Sequence, residues 1–445
     1  MQKNSTASSD APALAAAPAE KPIVAWVGLD WADQKHDVHV LFTDGSKPIA
    51  KEIAHKPQAI EEFFLELQQK YPDGRIAVVI EQSRGPLIYA LMKHSFVEIY
   101  PINPNALANY RSALRVSGAK DDPSDAQLQA DFGFKHPERL RPFKIDDIPT
   151  RKLRFLVEAR RGFVDEQTAL TNGLSIALKG YYPVVLELFS APLNTPMLRE
   201  FLRRWPTLKE LKSAKAATLR AFFYKHNSRA EELIQKRLAI IQAARALTED
   251  EAIVSAMELQ VQCLVRHLAQ VQESIDQHND VIQETFQGHS CFPIFDQLPG
   301  AGPALAPRLA AAFGSRRENF PTPGDMLCLS GVAPVRKQSG KQKIILFRWK
   351  RPKFLHQTMV EFAKCSIGSC EWARLFFEAK IKDGKTKWEA FRALAFKWLR
   401  IIWRCWQLST PYDEVKYLRS LQKKGIKLYE SLYKDLPSET ENGPL

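Results

Sequence analysis

The stretch IVAWVGLD, Ile23–Asp30, decides the fold of the first part of the chain, and HDVHVLF, His36–Phe42, follows it closely. The first stretch is apolar almost throughout, which is typical of a strand buried on both faces. The second alternates, with its valines and Phe42 on one face, and the five residues between the two suit a hairpin connection. A carboxylate at the end of a buried strand is costly unless its charge is compensated. Asp30 is therefore either a turn-capping acid or a ligand of a metal ion.

The composition is that of an ordinary globular protein with a basic excess. Its 445 residues are 45% hydrophobic and 25% charged, which allows two or three domains with substantial cores. The net charge of +13 and the pI of about 9.3 favour a polyanionic partner. No apolar run is long enough to span a membrane, and nothing resembles an amphipathic anchor. We expect nucleic acid as the partner and no membrane association.

The chain ends and the cysteines favour a cytoplasmic location. Residues 1–22 are rich in Ala, Pro and Ser and lack the basic start and apolar run of a signal peptide, so they predict a disordered tail. Residues 437–445 predict a second one. The six cysteines form no CxxC pair and no zinc-type set with histidines. We expect free thiols in a reducing cytoplasm.

Residues 23–149 are predicted to form an α/β domain. After the opening hairpin, the hydrophobic pattern predicts helices at 59–70 and 86–95 and strands at 49–53, 75–81 and 97–102. A further helix is predicted with Ser124 as its N-cap and Asp125 in its first turn. This order of strands and helices is that of the RNase H-like fold.

Carboxylates recur at the ends of these predicted elements. They are Asp30, Glu81, and the pair Asp122 and Asp125, which are three residues apart and so share a helix face. Three or four converging carboxylates are what two Mg²⁺ ions, or two Mn²⁺ ions, need to hold a scissile phosphate. The alternative is that these acids are scattered over the surface. The pattern alone leaves both open.

Residues 150–290 are predicted to be a helical region. A long helix is expected at 150–181, short helices broken by prolines at 182–226, and almost uninterrupted helix at 228–287. Apolar residues in the last segment alternate steps of three and four from Val254 to Ile282, a heptad seam. The seam predicts either a coiled coil between chains or an intramolecular hairpin with the 150–181 helix. His278 on this seam is expected to be packed and not to bind a metal.

Residues 291–436 are predicted to form a mostly helical domain with a basic loop or hairpin. The sequence LPGAGP resembles a helix-hairpin-helix turn, in which Gly300 and Gly302 would let backbone N–H groups approach a DNA phosphate. The alternative is a plain packing turn. Between 331 and 357 there are eight Lys and Arg residues and no acid, with aromatics interleaved, which predicts nucleic-acid binding. These cations are Arg336, Lys337, Lys341, Lys343, Arg348, Lys350, Arg351 and Lys353. Ser339 lies among them, in QSG, and its local sequence marks it only as a turn residue.

Five segments, in this order, resemble one class of bacterial insertion-sequence transposases, whose family includes the bridge-RNA-guided recombinases. The class carries an N-terminal Asp-Glu-Asp-Asp (DEDD) domain similar to Holliday-junction resolvases and a C-terminal domain with a catalytic serine. The segments are VGLDWADQKHDVHVL, VVIEQSRGPL, INPNALANYRSALRVSGAKDDPSDA, LPGAGPALAPRLAAAFG and SGVAPVRKQSGK. The resemblance spans residues 23 to 410. Departures at Trp31, Asp33 and 82–84 leave the subgroup and the target open.

The resemblance implies roles for particular residues. The four metal-binding acids fall on Asp30, Glu81, Asp122 and Asp125, with Asp121 as an outside candidate. The serine nucleophile falls on Ser339, and Arg336 and Lys341 would offset the charge that develops at the phosphate. The implied partners are the double-stranded DNA of donor and target, a structured guide RNA, and further copies of the chain, as dimers that pair into tetramers. One subunit's serine would meet another's metal ions.

Two other functions remain open. A metal-dependent, structure-selective nuclease would use water in place of Ser339 as the nucleophile. A non-catalytic protein would bind DNA or RNA through the basic loop alone. Covalent attachment to DNA separates the recombinase from the nuclease, and metal dependence separates both from the binding protein.

Overall fold

The computed structural model describes residues 21–81, 85–114, 122–189, 192–340, 342–348 and 351–437, and it gives the backbone alone at 122, 336, 337, 339, 343 and 345. The two tails predicted at 1–22 and 437–445 therefore lie almost wholly outside the described residues. The chain divides into two compact units, Met1–Ile145 and Asp146–Leu445, each described here by itself. The further boundary expected at residue 290 stays a prediction.

The N-terminal unit is built on a five-stranded mixed sheet of order β3-β2-β1-β4-β5. β1 pairs antiparallel with β2 and parallel with β4, and β4 pairs parallel with β5. The strands are β1 Ile23–Trp31, β2 Lys35–Phe42, β3 Ile49–Ala54, β4 Arg75–Ile80 and β5 Val97–Pro101. The predicted mixed α/β sheet is confirmed, while its assignment to the RNase H-like fold stays a prediction.

Two helical layers cover this sheet and account for the apolar character of β1. Ala25, Val27 and Leu29 face a core shared with α1 and α2, and Trp26 faces a second core shared with α3 and α4. The helices are α1 Pro57–Lys70, α2 Pro86–Leu91, α3 Pro104–Leu114 and α4 Asp122–Lys135, followed by a 3₁₀ turn at Pro137–Arg139. A strand with helices on both sides is buried on both faces, as predicted.

The start of α4 differs from the prediction. The helix begins at Asp122, so Ser124 is not the N-cap but a buried residue of the first turn. Pro123 explains the difference, because proline is favoured in the first helical turn, where its missing N–H leaves no intrahelical bond unmade. Asp125 does lie in the first turn, as expected.

In its described residues, the C-terminal unit is helical apart from one β-hairpin. The longer helices are α5 Ile148–Tyr181, α7 Pro196–Arg204, α9 Ala216–Lys225, α10 Glu231–Ala243, α11 Glu251–Gln287, α13 Gly302–Phe313, α14 Pro323–Ser330, α15 Lys353–Ser366, α16 Glu371–Lys382, α17 Lys387–Leu408 and α18 Glu414–Lys423. The short ones are α6 Val184–Leu188, α8 Leu208–Ser213, α12 Phe292–Phe295, α19 Glu430–Tyr433, and the 3₁₀ turns Arg317–Asn319 and Lys427–Tyr429. The hairpin consists of β6 Val335–Ser339 and β7 Gln342–Leu346.

The heptad seam of α11 packs against α5 of the same chain. Val261, Leu268 and Ile275 on the seam are buried, and the ring of His278 lies 5.1 Å from that of Phe163 on α5. His278 is thus packed, as expected. The intramolecular hairpin is present, and a coiled coil between chains stays a prediction.

The segment 228–287, predicted as almost uninterrupted helix, consists of two helices with one interruption, between α10 and α11. Asp250 causes the restart. Its carboxylate accepts a hydrogen bond from the N–H of Ala252 at 2.9 Å, and its own N–H donates to Thr248. A side chain that satisfies free N–H groups of a new first turn favours a helix start at that point.

The C-terminal unit contains two apolar cores. One holds Leu174 and Leu178 of α5 together with α6–α10 and Val261, Val265 and Leu268 of α11. The other holds Leu153 and Val157 of α5, the end of α11, and α12–α18. Trp398 and Trp406 of α17 lie in the second core and Trp403 packs against it, whereas Trp388 at the start of the helix is exposed.

All six cysteines are free thiols. Among the described residues, no helix is both long and apolar enough to cross a membrane.

Candidate active site

The carboxyl ends of β1 and β4 bring Asp30 and Glu81 to the same edge of the sheet. The two strands run parallel with Gly28 opposite Val79, and Asp30 and Glu81 each follow two residues later. Side chains alternate along a strand, so both residues share the face of Trp26, Ala77 and Val79. That is the face covered by α3 and α4. Asp30 is half-buried and Glu81 is exposed.

Helix α4 lies directly on this face and runs antiparallel to β1. A Cβ on Gly133 would meet the ring of Trp26, and one on Gly28 would lie only 1.9 Å from the carbonyl oxygen of Ala126. The buried side chain of Gln129 accepts a hydrogen bond from the N–H of Leu29 at 2.9 Å. Because earlier residues of α4 lie beside later residues of β1, the first turn of α4 lies at the level of Asp30.

Asp125, in that first turn, is almost completely buried and ion-paired with Arg111 of α3. A buried carboxylate needs such a partner, or a metal ion, to offset its lost hydration. No residue of α3 was assigned a role from the sequence. Asn103 followed by Pro104 is a sequence signal for a helix start, and α3 begins there. In the structure, the Asn103 side chain accepts a hydrogen bond from the N–H of Asn105.

Asp37 is a further acid at this edge that sequence reasoning missed. It lies directly opposite Asp30 in the β1–β2 ladder, and directly opposite residues of antiparallel strands point to the same face. Asp37, His39 and Pro123 of α4 line one depression of about 220 Å³. The alternation of HDVHVLF predicts that Asp37 lies on the opposite face of the strand from Val38.

The donor set suits a hard divalent cation in kind, because it consists of carboxylate oxygens. Among the residues with described side chains, however, no three Asp, Glu, His or Cys groups are close enough together to hold an ion. Asp122 opens α4, but its side chain is outside the description, as is the whole of Asp121. The four-acid set thus stays a prediction.

A pair of histidines supports the turn between β1 and β2. His36 is 1% exposed, and its Nε2 lies 2.9 Å from Nδ1 of His55. Burial, and then the neighbouring ring of His55, lower the pKa of His36 from 6.5 to about 4. Burial also lowers the pKa of His39, although Asp131 opposes that effect. His36 is therefore neutral at pH 7 and contributes packing, not charge, next to Asp37.

In the C-terminal unit, Ser339 is the last residue of β6 and lies at the tip of the hairpin. It pairs with Gln342, so two residues separate the strands of the hairpin, and Gly340 is the first of them. Gly340 has φ of +55°, which such turns require and which glycine adopts without strain. The Ser339 hydroxyl is outside the description, and its role as nucleophile stays a prediction. The predicted basic hairpin itself is present.

Only some of the predicted nucleic-acid contacts can be located. Arg348 follows β7 and is half-buried. The side chains of Arg336, Lys337 and Lys343, and the whole of Lys341 and Lys350, lie outside the described residues. Ile344 and Leu346 are exposed on β7. An exposed two-stranded hairpin is of marginal stability alone, which is consistent with a partner lying across it.

Different structural constraints favour glycine at Gly300 and at Gly302. A Cβ on Gly300 would lie 2.7 Å from the carbonyl oxygen of Cys365, so close packing against the end of α15 accounts for it. Gly302 begins α13 with φ of +55°, is exposed, and has open space beside it. Phosphate contact at either residue and the helix-hairpin-helix assignment stay predictions.

Comparison with known proteins gives two family matches. Residues 27–183 match the model of the DEDD transposases of the IS110 group, described as "Transposase", and residues 293–378 match "Transposase IS116/IS110/IS902 family". Together these matches cover more than half of the chain.

Relatives of similar length align along most of the chain. "Mini-circle putative transposase for IS117" of Streptomyces coelicolor is 26% identical over 89% of this chain and 97% of its own. "Insertion element IS900 uncharacterized 42 kDa protein" of Mycobacterium paratuberculosis is 24% identical over 85% of this chain and 94% of its own. "Insertion element IS116 uncharacterized 44.8 kDa protein" of Streptomyces clavuligerus is 23% identical, with coverages of 88% and 97%.

Proposed function

Because the chain belongs to the IS116/IS110/IS902 family of transposases, we propose that it cuts and rejoins the DNA of a mobile element through an acidic site in its N-terminal unit and Ser339 in its C-terminal unit. The observation that carries this proposal is the common location of Asp30, Glu81 and the first turn of α4 at one edge and face of the sheet. An RNase H-like domain, which the strand order supports, would place its acids in this way.

The acids Asp30, Glu81, Asp122 and Asp125 would hold a divalent cation, Mg²⁺ or Mn²⁺, which when bound polarises a phosphate and offsets the charge of the departing oxygen. Gln129 and the close Gly28–α4 contact fix the position of Asp125 relative to Asp30. Asp37 adds negative potential at the same edge. Arg111 neutralises Asp125 before substrate arrives.

Ser339 would attack the phosphorus of the scissile phosphate. The bond between its Oγ and phosphorus forms as the bond between phosphorus and the 3′ oxygen breaks. The serine loses one proton, and the leaving 3′ oxygen gains one to become a 3′-OH. One DNA end remains covalently attached, and attack by another strand's 3′-OH reverses the step. Since each step exchanges one phosphoester for another, no external energy source is needed.

The substrate would be double-stranded DNA of donor and target, and the net charge of +13 supports a polyanion. A structured guide RNA is part of the proposal because the basic hairpin offers cations without neighbouring acids in its own sequence. Adding and withholding such RNA in the cleavage assay tests that part separately.

Homo-oligomers, as dimers that pair into tetramers, and active sites shared between subunits complete the proposal. The α11 seam packs against α5 of the same chain, and a coiled coil between chains would have to form in addition to this pairing. Mixing Asp30→Ala with Ser339→Ala subunits tests sharing. Activity should reappear in mixtures, and inactivity at every ratio contradicts shared sites.

The central experiment is covalent capture on supercoiled DNA that bears the element's junction. We expect wild type to remain attached to DNA under denaturing conditions when Mg²⁺ is present. Ser339→Ala and Asp122→Asn should give no attached DNA. Cleaved but unattached DNA would indicate a nuclease that uses water, and binding that survives EDTA without any cleavage would indicate a non-catalytic protein.

A further inference from the structure

We propose that Arg392 of α17, together with Arg351 and Arg348, forms a binding site for a phosphate of the DNA backbone at the base of the Ser339 hairpin. The proposal rests on the proposed function for the identity of the polyanion, and it adds a residue from α17, which begins about forty positions after the end of β7. The site would position the DNA strand and would not touch the reacting phosphate.

Phe347, directly after β7, organises the cations. The guanidinium carbon of Arg351 lies 4.1 Å from the centroid of its ring, and that of Arg392 lies 4.5 Å from the same centroid. The two charges are thus held within about 9 Å of each other by one aromatic ring. Phe347 is in turn held edge-on by the ring of His356, at 5.9 Å.

The position of Arg351 is fixed by its surroundings. Gly331 ends α14 with φ of +68°, and a Cβ there would lie 2.1 Å from Cδ of Arg351. The side chain of Arg351 therefore passes through space that only glycine leaves open. Its Nη1 donates to the carbonyl oxygen of Arg348 at 2.8 Å, which joins the two arginines.

Glu389 lies one turn before Arg392 on α17 and interacts with its charge, while its carboxylate also accepts hydrogen bonds from the N–H and hydroxyl of Thr386. Neither Arg348 nor Arg392 forms an ion pair with a carboxylate in the part of the chain that the structure describes, and the Nε of Arg348 is buried there without a hydrogen-bond partner. Burial lowers the pKa of His356, and Arg351 and Arg392 lower it further. His356 thus stays neutral while two cations remain stacked beside it. Stacked guanidinium groups that repel each other are stabilised when an anion binds between or across them.

The location relative to Ser339 determines which phosphate is bound. Five residues of β6 separate the tip from the base of the hairpin, a distance of about 14 Å at the usual rise of an antiparallel strand. That distance corresponds to roughly four base steps of a DNA duplex. The cluster therefore holds the strand that flanks the cleavage site.

The test measures DNA affinity of the full-length protein as a function of salt. Arg392→Gln should bind the element's terminal duplex about tenfold more weakly, and the slope of log K against log salt should fall by about 1. Arg392→Lys, which keeps the charge, should retain the slope. Arg400→Gln, an exposed arginine on the same helix, is the charge-matched control and should bind like wild type.

A second measurement locates the phosphate. Neutral methylphosphonates are placed one at a time near the cleavage site, and wild type should lose affinity at one position roughly four steps away. Arg392→Gln should be insensitive at that position alone. Equal salt slopes for Arg392→Gln and Arg400→Gln, or an unchanged methylphosphonate profile, overturn the proposal, as does an effect seen with structured RNA but not with DNA.

Failure of this phosphate site can be distinguished from failure of the proposed function. If Ser339-dependent capture succeeds while Arg392→Gln behaves like wild type, the phosphate site is wrong and the recombinase stands. If capture fails for wild type while Arg392→Gln still changes the salt slope on DNA, the phosphate site stands and the chemistry is wrong. Melting temperatures of all variants exclude unfolding as the cause.

Discussion

At the scale of single residues, the N-terminal unit uses buried polar side chains in two ways. His36 is buried in its neutral form, with His55 as its hydrogen-bond partner. Asp125 is buried in its charged form, with Arg111 as its partner. The buried neutral His36 makes the free energy of unfolding depend on pH. The buried charged Asp125 makes it depend on the positive charge of Arg111.

We expect the N-terminal unit to lose stability as the pH falls from 6.5 to 4, because unfolded His36 takes up a proton in this range and folded His36, with a pKa of about 4, does not. The contribution is about 3 kcal/mol. His36→Phe should fill the same space and abolish this part of the pH dependence. Urea unfolding of both proteins at several pH values measures it, and parallel curves contradict it.

Replacing Arg111 by Met should destabilise the N-terminal unit by about 3 kcal/mol, because Asp125 is left buried without a counter-charge. If Asp125 binds a divalent cation, Mg²⁺ should then raise the melting temperature of Arg111→Met more than that of wild type. Asp125→Asn is the control. In its background, replacing Arg111 by Met should no longer destabilise the unit, and Mg²⁺ should no longer raise the melting temperature. If adding Mg²⁺ leaves the melting temperature of every variant unchanged, the metal site is contradicted.

At the scale of elements, the contact between β1 and α4 carries the geometry of the acidic site. It depends on Gly28, which leaves room for the helix backbone, and on Gln129, which bonds to the N–H of Leu29. Any side chain at residue 28 must push α4 away, together with Asp125.

Gly28→Ala should therefore destabilise the protein by about 3 kcal/mol and abolish cleavage, because a Cβ there would overlap the backbone of Ala126 and Ala130. Gly162→Ala provides the control. Gly162 lies within α5 with no atom within 4 Å of its added Cβ, so that substitution should stabilise by about 0.5–1 kcal/mol. Denaturant titration measures both, and equal effects contradict the packing argument.

Much of this element-level order is predictable from the sequence. The alternation in HDVHVLF gives the buried face of β2, and the apolar run of β1 gives a strand covered on both sides. The hairpin at Ser339 and the short helices over 182–226 also follow from pattern. Capping is harder to predict, since Pro123 moved the start of α4 and Asp250 divided a helix that apolar spacing alone made continuous.

The site is less predictable, because its residues meet through strand register and helix direction. Asp37 belongs to the acidic edge only because it lies opposite Asp30, and Arg111 matters only because α3 packs beside α4. Arg392 has no local signal at all. Its position over Phe347 depends on how α17 crosses the base of a hairpin formed far earlier in the chain.

At the scale of the whole molecule, three distant segments of the C-terminal unit meet at one carboxylate. Glu361 of α15 pairs with Arg161 of α5 and with the buried Arg308 of α13. Arg308 also donates to Thr358. Arg160 lies close enough for both arginines to lower its pKa, after the effect of burial. Glu361 is thus the carboxylate shared by Arg161 and Arg308, and Asp165 is a second partner of Arg161.

Glu361→Gln should lower the free energy of unfolding of the C-terminal unit by about 3 kcal/mol, because the buried guanidinium group of Arg308 is left without its carboxylate. Glu371→Gln is the matched control on α16, where the exposed ion pair with Arg374 should contribute little to the free energy of unfolding. Chemical denaturation compares the two variants. Equal losses would mean that Glu361 acts as an ordinary surface residue.

The single helix α5 reaches from one apolar core of the C-terminal unit to the other, with Leu174 in the first and Val157 in the second. Its length of about 50 Å is also a rotational constraint, since every added residue turns the remainder of the helix by about 100°. One inserted residue between Val157 and Leu174 would direct the second apolar face into water. Length variation here is therefore tolerated near multiples of seven residues, and only when α11 changes by the same amount.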